Sequence, residues 1–252
     1  MIEVLSFPEM LSPQAAAGLI AASVLTSFVT ASLGLGGGIL LLSIMASLLP
    51  PAALIPVHGL VQLGSNAGRA ALLFRRVAWT LLPAFAGGSL VGAALGGLLA
   101  VDLPAGLVQI GVGLFVLFSV LSAPPAWFGR QAFATGATSS FLTMFFGATG
   151  PFVATYLKVR RLERHSHVAT HAAFMTLQHS LKVVVFGLLG FAFGPWALLI
   201  VAMIAAGLVG TYLGRIVLTR MSDRGFRRAL DLLLVVIALR LIWIGATSFA
   251  AP

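Results

Sequence analysis

The stretch "SLGLGGGILL" (residues 32–41) places Gly34, Gly36, Gly37 and Gly38 within five positions of a long apolar run. Glycine in a helix interior costs about 1 kcal/mol relative to alanine. A run that would otherwise continue as one helix is therefore cut here. What the cut means depends on what surrounds the run.

Composition answers that. The 252-residue chain is 60% hydrophobic and only 8% charged, with a mean hydropathy of +1.08. A soluble domain carries about 25% charged residues, so the pattern is that of a polytopic membrane protein whose constant partner is the lipid bilayer. The apolar segments read as 14–49 (broken by the glycines), 52–74, 77–100, 105–123, 132–157 (broken at "GATGP"), 167–189, 196–214 and 229–247. They are expected to be helical, because lipid offers no partner to an exposed strand edge. The alternating polarity of a membrane barrel is missing. Residues 1–30 hold no Lys or Arg, so the first segment is read as retained rather than as a signal peptide. There is no cysteine, which excludes disulfides, thiolate metal sites and cysteine nucleophiles. Nothing in the sequence calls for a metal or a cofactor, and length leaves no room for a second, soluble domain.

The chain repeats itself. "SFVTASLGLGGG" (27–38) aligns with "SFLTMFFGATGP" (140–151) at an offset of 113, with Ser27/Ser140, Phe28/Phe141, Thr30/Thr143, Gly34/Gly147 and Gly37/Gly150 identical. The same offset carries His58 onto His171 and Arg69 onto Lys182, and "LVGAALGG" (90–97) meets "LVGTYLGR" (208–215) at an offset of 118. The single transmembrane domain is thus two halves, about 14–123 and 132–247, joined near "SAPPAWFGR" (122–130).

Charge supplies orientation. Of the 15 Lys and Arg, only Arg69, Lys182 and Arg240 fall within apolar segments; the rest gather at 75–76, 130, 158–164 and 215–228. That placement follows membrane loops rather than a nucleic-acid surface, so the net charge of +9 does not imply a nucleic-acid partner. The positive-inside rule makes all four groups cytoplasmic. This requires each broken segment to begin and end on one side of the membrane, as a hairpin turning at its glycines. His165 and His167 then sit in a solvated basic loop. Each half crosses an odd number of times, and the halves point oppositely. The expected fold is all-α: two inverted repeats, each a glycine-broken hairpin plus three transmembrane helices, an arrangement common in transporters.

Irregular backbone survives at membrane depth only when buried in protein or lining a wet cavity. The half-helix that follows each turn would aim free N–H groups and a positive dipole end inward, which suits an anion. The competing reading of the glycines is close helix packing; two clusters at equivalent places favour the site. The candidate binding residues are Gly36, Gly37 and Gly38 at the first turn and Thr149 and Gly150 at the second. His58, Gln62, Asn66 and Arg69 join them from one helix face, and His171, Gln178, His179 and Lys182 from its counterpart. A charge inside a membrane helix costs at least about 2.5–3.5 kcal/mol near the centre and marks function by default. Packing roles for the histidines, and snorkelling of Arg69 to the nearby surface, are the alternatives. Asp231 is the one acidic residue in a segment, and it neighbours Arg227 and Arg228. Cation pathways normally carry deep carboxylates, so the group points to a small anionic substrate. An intramembrane enzyme is disfavoured by the lack of a carboxylate pair, of HExxH and of G-x-S-x-G. An anion channel, or a carrier for another oxyanion or carboxylate, stays open, as does assembly into a homo-oligomer.

"GLGGG" in the first hairpin, "PPAALIPVHGLVQLGSNAGRAALLFRRVAW" (50–79), the "LVGAALGG" helix and the weaker second copy of all three together resemble the TauE/SafE family of sulfite and organosulfonate exporters, over about 15–247. The second turn departs from it, being "GATGP" rather than glycine-rich, and Lys182 stands opposite Arg69. The resemblance implies a multi-pass carrier of the bacterial inner membrane for sulfite, sulfoacetate or related sulfonates.

Overall fold

The computed structural model describes residues 8, 11–33, 36–99, 104–122, 131–217 and 224–249. Gly34, Glu3, Glu9, Asp102, Arg130 and the joint at 123–130 lie outside the described residues. Among the described residues there are ten α-helices and no strand. The first half contributes α1 (Pro13–Leu33), α2 (Gly37–Ala46), α3 (Pro51–Leu72), α4 (Leu82–Leu99) and α5 (Ala105–Leu121). The second contributes α6 (Ala132–Phe146), α7 (Gly150–Val159), α8 (Arg164–Leu188), α9 (Ala197–Val217) and α10 (Arg224–Thr247).

The apolar helices are inside out relative to a soluble bundle. α4 buries Gly88, Ser89, Gly92, Ala93, Gly96 and Gly97 while exposing Leu90, Val91, Leu95, Leu98 and Leu99. Lipid solvates leucine as well as a protein interior does, so small residues take the helix contacts and large ones face outward. Three helical stretches, Pro13–Leu33, Trp79–Leu99 and Gly194–Ile216, are long and apolar enough to cross a membrane. The chain is an all-α membrane protein.

The halves interlock. α1 packs along α9 and α6 along α4; α3 lies against α8, and α5 against α10. Each half thus lays its first helix on the fourth helix of the other. The contact points are equivalent too. A β-carbon on Gly92 would sit 1.9 Å from the Ala137 carbonyl oxygen, and one on Gly210 would sit 2.0 Å from that of Val24. Gly92 and Gly210 belong to the repeated "LVG" motif, and Val24 and Ala137 are 113 residues apart, the offset of the hairpins. The second repeated motif therefore serves backbone-to-backbone packing between halves.

In each broken segment a helix is followed by a short one running back. α2 and α7 have 10 residues each, roughly 15 Å, or half a bilayer core. Positive φ marks both breaks, 99° at Gly36 and 80° at Gly147, a backbone region that side chains with a β-carbon resist. Gly37 needs its missing side chain for another reason: a β-carbon there would lie 1.8 Å from the Thr26 oxygen of α1.

The basic connections at 75–76 and 158–164 meet at one end of the bundle. Arg76 pairs with Glu163 at 2.9 Å, Arg164 donates to the Ser32 carbonyl at 3.0 Å, and the amide of Ala78 donates to the Thr170 hydroxyl at 2.9 Å. Helices at this end run past the apolar segments read from the sequence. α8 begins at Arg164 rather than 167, so His165 and His167 lie in its first turn and are half-buried, not in a loop. α10 begins at Arg224 rather than 229. Hydropathy marks where lipid lies, whereas a helix continues into water wherever its backbone bonds are met.

Candidate functional site

α2 and α7 begin at one cavity. It holds about 400 Å³ of empty space, mouth included. The first turn supplies Gly36, Gly38 and Ile39, and the second supplies Ala148, Gly150 and Pro151. α3 adds His58, Gln62 and Asn66; α8 adds His171, Met175 and His179; α1 adds Thr30. Among the described residues, no Asp or Glu lines it. The first N–H groups of a helix have no intrahelical acceptor. In α2 these are Gly37, Gly38 and Ile39, since the ladder starts with Leu40 donating to Gly36 at 3.0 Å. α7 offers fewer: Pro151 has no N–H, and Phe152 already donates to Thr149 at 3.1 Å.

Two histidines clamp the two short helices in the same way. His58 Nε2 lies 3.1 Å from the Gly38 carbonyl oxygen, and His171 Nε2 lies 3.2 Å from that of Gly150. A carbonyl only accepts, so Nε2 carries the proton in both. The Nδ1 of His58 is left buried with no partner, as is the Nδ1 of His179. The His58 and His179 rings meet edge to face with centroids 6.0 Å apart. Buried polar atoms without a protein partner are uncommon, and the His58 Nδ1, with the ring proton on Nε2, is an acceptor.

The remaining sequence candidates stand behind this wall. Gln178 donates to the Ser139 and Ser140 hydroxyls at 2.6 and 2.9 Å, tying α8 to α6. Thr149, at the start of α7, donates to the Ser139 carbonyl at 3.0 Å. Gly37 is packed on α1. Lys182 is fully buried and donates to the Gly147 carbonyl at 2.6 Å, where the Thr143 hydroxyl also donates at 2.9 Å. Its stem fills the space a Gly59 side chain would need. Arg69 is 3% exposed, at the basic end of α3, and donates to Asn66 Oδ1 at 3.0 Å. Asn66 in turn donates to Gln62 Oε1 at 3.1 Å. Arg69 and Lys182, equivalent in sequence, therefore make unlike contacts and do not line the cavity.

Thr30, Ile39, Ala148, Pro151 and Met175 line the cavity without being among the binding candidates drawn from the sequence. Thr30 sits in the repeated "SFVTASLGLGGG" block, which was the signal for it. Met175 lies one turn from His171 and His179 on α8. Ile39, Ala148 and Pro151 owe their place to the turns.

The family model described as sulfite exporter TauE/SafE matches residues 19–241, which takes in both hairpin turns and every residue of the cavity wall. No curated protein and no solved structure matches the chain. By the extent of that match, the chain belongs to the TauE/SafE family of sulfite exporters.

Proposed function

We propose that the protein carries a small sulfur-containing anion, such as sulfite, sulfoacetate or a related organosulfonate, across the bacterial inner membrane as a multi-pass carrier. The observation that carries this reading is the convergence of the α2 and α7 N-termini on one cavity with no Asp or Glu among its described lining residues. Amide N–H groups at a helix start, with the positive dipole end behind them, stabilise an oxyanion without a fixed counter-charge. Gly36, Gly38, His58, Gln62, Asn66, Gly150, His171 and His179 contact the anion in this reading. Gly37, Thr149, Gln178 and Lys182 hold the wall in place.

The halves are inverted in the membrane, with the connection between α7 and α8, residues 160–163, cytoplasmic. Alternating access then consists of each hairpin rocking against the second long helix of its half, His58 and His171 keeping each short helix in register with that helix. Family membership supports the substrate class; the exchange of first helices between halves supports a symmetric rocking motion.

Proteoliposomes loaded with labelled sulfite test this. Saturable efflux that unlabelled sulfite inhibits from either face is expected. Flux that rises linearly with concentration to high millimolar levels would indicate a channel instead, and absence of sulfite, sulfoacetate and thiosulfate flux alike would sink the reading.

A further inference from the structure

A second, shallow pocket, of about 220 Å³ with its open mouth included, lies at the basic end of the bundle where α1, α3, α8 and α9 meet. Its polar lining is Arg69, Thr211 and Arg215, and Ala31, Leu72 and Val168 are among its apolar walls. Two of the polar groups have atoms with nothing to bind. Arg69 is 3% exposed, yet its Nε is buried and without a partner. Thr211 is 1% exposed and its hydroxyl is likewise unpaired. The hydroxyls of Ser89 and Ser119 are also buried without a partner, but neither lines this pocket. Buried or half-buried Ser43, Thr135 and Thr176 each donate back to a carbonyl four residues earlier, as such hydroxyls do in membrane helices. Arg215, one helical turn after Thr211, is exposed at the rim. Neither cation has an acidic partner among the pocket residues.

We propose that this pocket is a second oxyanion-binding site, distinct from the central cavity. Arg69 Nε and the Thr211 hydroxyl are donors in the floor and the Arg215 guanidinium closes the rim. Two guanidinium groups around one small pocket suit a group with several acceptor oxygens and negative charge. The mostly apolar wall, opening between helices, suits either of two carriers of that chemistry: a free sulfur oxyanion, or the phosphate of an anionic lipid. The site is linked to the first along α3. Arg69 donates to Asn66, and Asn66 to Gln62, and the latter two line the central cavity. An occupant that draws Arg69 towards Thr211 therefore pulls on a side chain of the central wall. The inference does not depend on which anion the central cavity carries.

Arg215→Gln and Thr211→Val, alone and combined, alter only this pocket. Purified wild type and variants are placed in nanodiscs of phosphatidylcholine alone or with phosphatidylglycerol. Bound sulfite is counted by equilibrium binding of the labelled ion, and retained phosphatidylglycerol by native mass spectrometry. If the occupant is a free anion, wild type in phosphatidylcholine binds a second sulfite, and the combined variant loses it or weakens it about tenfold. If it is a lipid phosphate, wild type retains one phosphatidylglycerol that the combined variant sheds, with sulfite stoichiometry unchanged. Wild-type values for both ligands in the folded combined variant would overturn the proposal. Failure of the central-cavity reading looks different: the folded combined variant would then bind no sulfite at all, whether wild type binds one at this pocket or none.

Discussion

Lys182 holds the carbonyl of Gly147, 2.6 Å from its Nζ. The cation that the sequence offers as an anion ligand is spent on the turn that starts α7. Together with the Thr143 hydroxyl it fixes the positive-φ glycine from which the second short helix departs. Removing the donor should loosen that turn. A charge-assisted bond contributes roughly 1.5–3 kcal/mol, so Lys182→Met should weaken anion binding by about ten- to a hundredfold. Lys182→Gln, which keeps a donor, should recover part of it. Calorimetry on folded protein is the check, and wild-type affinity in Lys182→Met would remove the lysine from the account.

The two hairpin glycines should fail differently. Gly37 has no space for a β-carbon against the Thr26 oxygen, whereas a β-carbon on Gly150 would rest 3.4 Å from His171 Nε2. Gly37→Ala should therefore lower folded yield on size-exclusion chromatography. Gly150→Leu should keep its yield and lose transport, because the added side chain enters the cavity. Normal transport in Gly150→Leu would place the site elsewhere.

Gly92 and Gly210 should behave as a pair. Each sits where any side chain collides with a backbone carbonyl of the other half, and overpacking of this kind costs about 1–3 kcal/mol or more. Gly92→Ala and Gly210→Ala should lower the melting temperature in detergent by similar amounts. If only one does, the packing between halves is less symmetric than the contacts indicate.

Orientation is open to direct measurement, because the chain has no cysteine to remove. Arg161→Cys, at the basic end, should react with an impermeant thiol reagent only after the cytoplasmic face is exposed. Gly194→Cys, which has no neighbouring atom within 4 Å, should react in intact cells. Labelling of position 161 from outside would reverse the proposed topology.

Much of this protein was legible in its sequence because lipid simplifies the problem. Composition demanded a spanning structure and the missing alternation of polarity made it helical, since only helices and closed barrels satisfy the backbone in hydrocarbon. The glycines of "GLGGG" and "GATGP" announced breaks, because few other residues tolerate positive φ. The 113-residue offset pairs rare polar residues inside apolar segments, which seldom coincide by accident, and Val24 and Ala137, which the packing places alike, share it. The spacing of His58, Gln62 and Asn66 put them on one helix face, and the fold carries that face to the cavity. What tertiary structure alone decided was where each polar group spends its donors. Arg69 and Lys182 are equivalent in sequence, yet one bonds along its own helix and faces a second pocket, while the other crosses to a turn of α7. Periodicity fixes the side of a helix on which a residue lies. It does not fix which neighbour the packing brings within 3 Å, and at that distance a hydrogen bond is either made or absent.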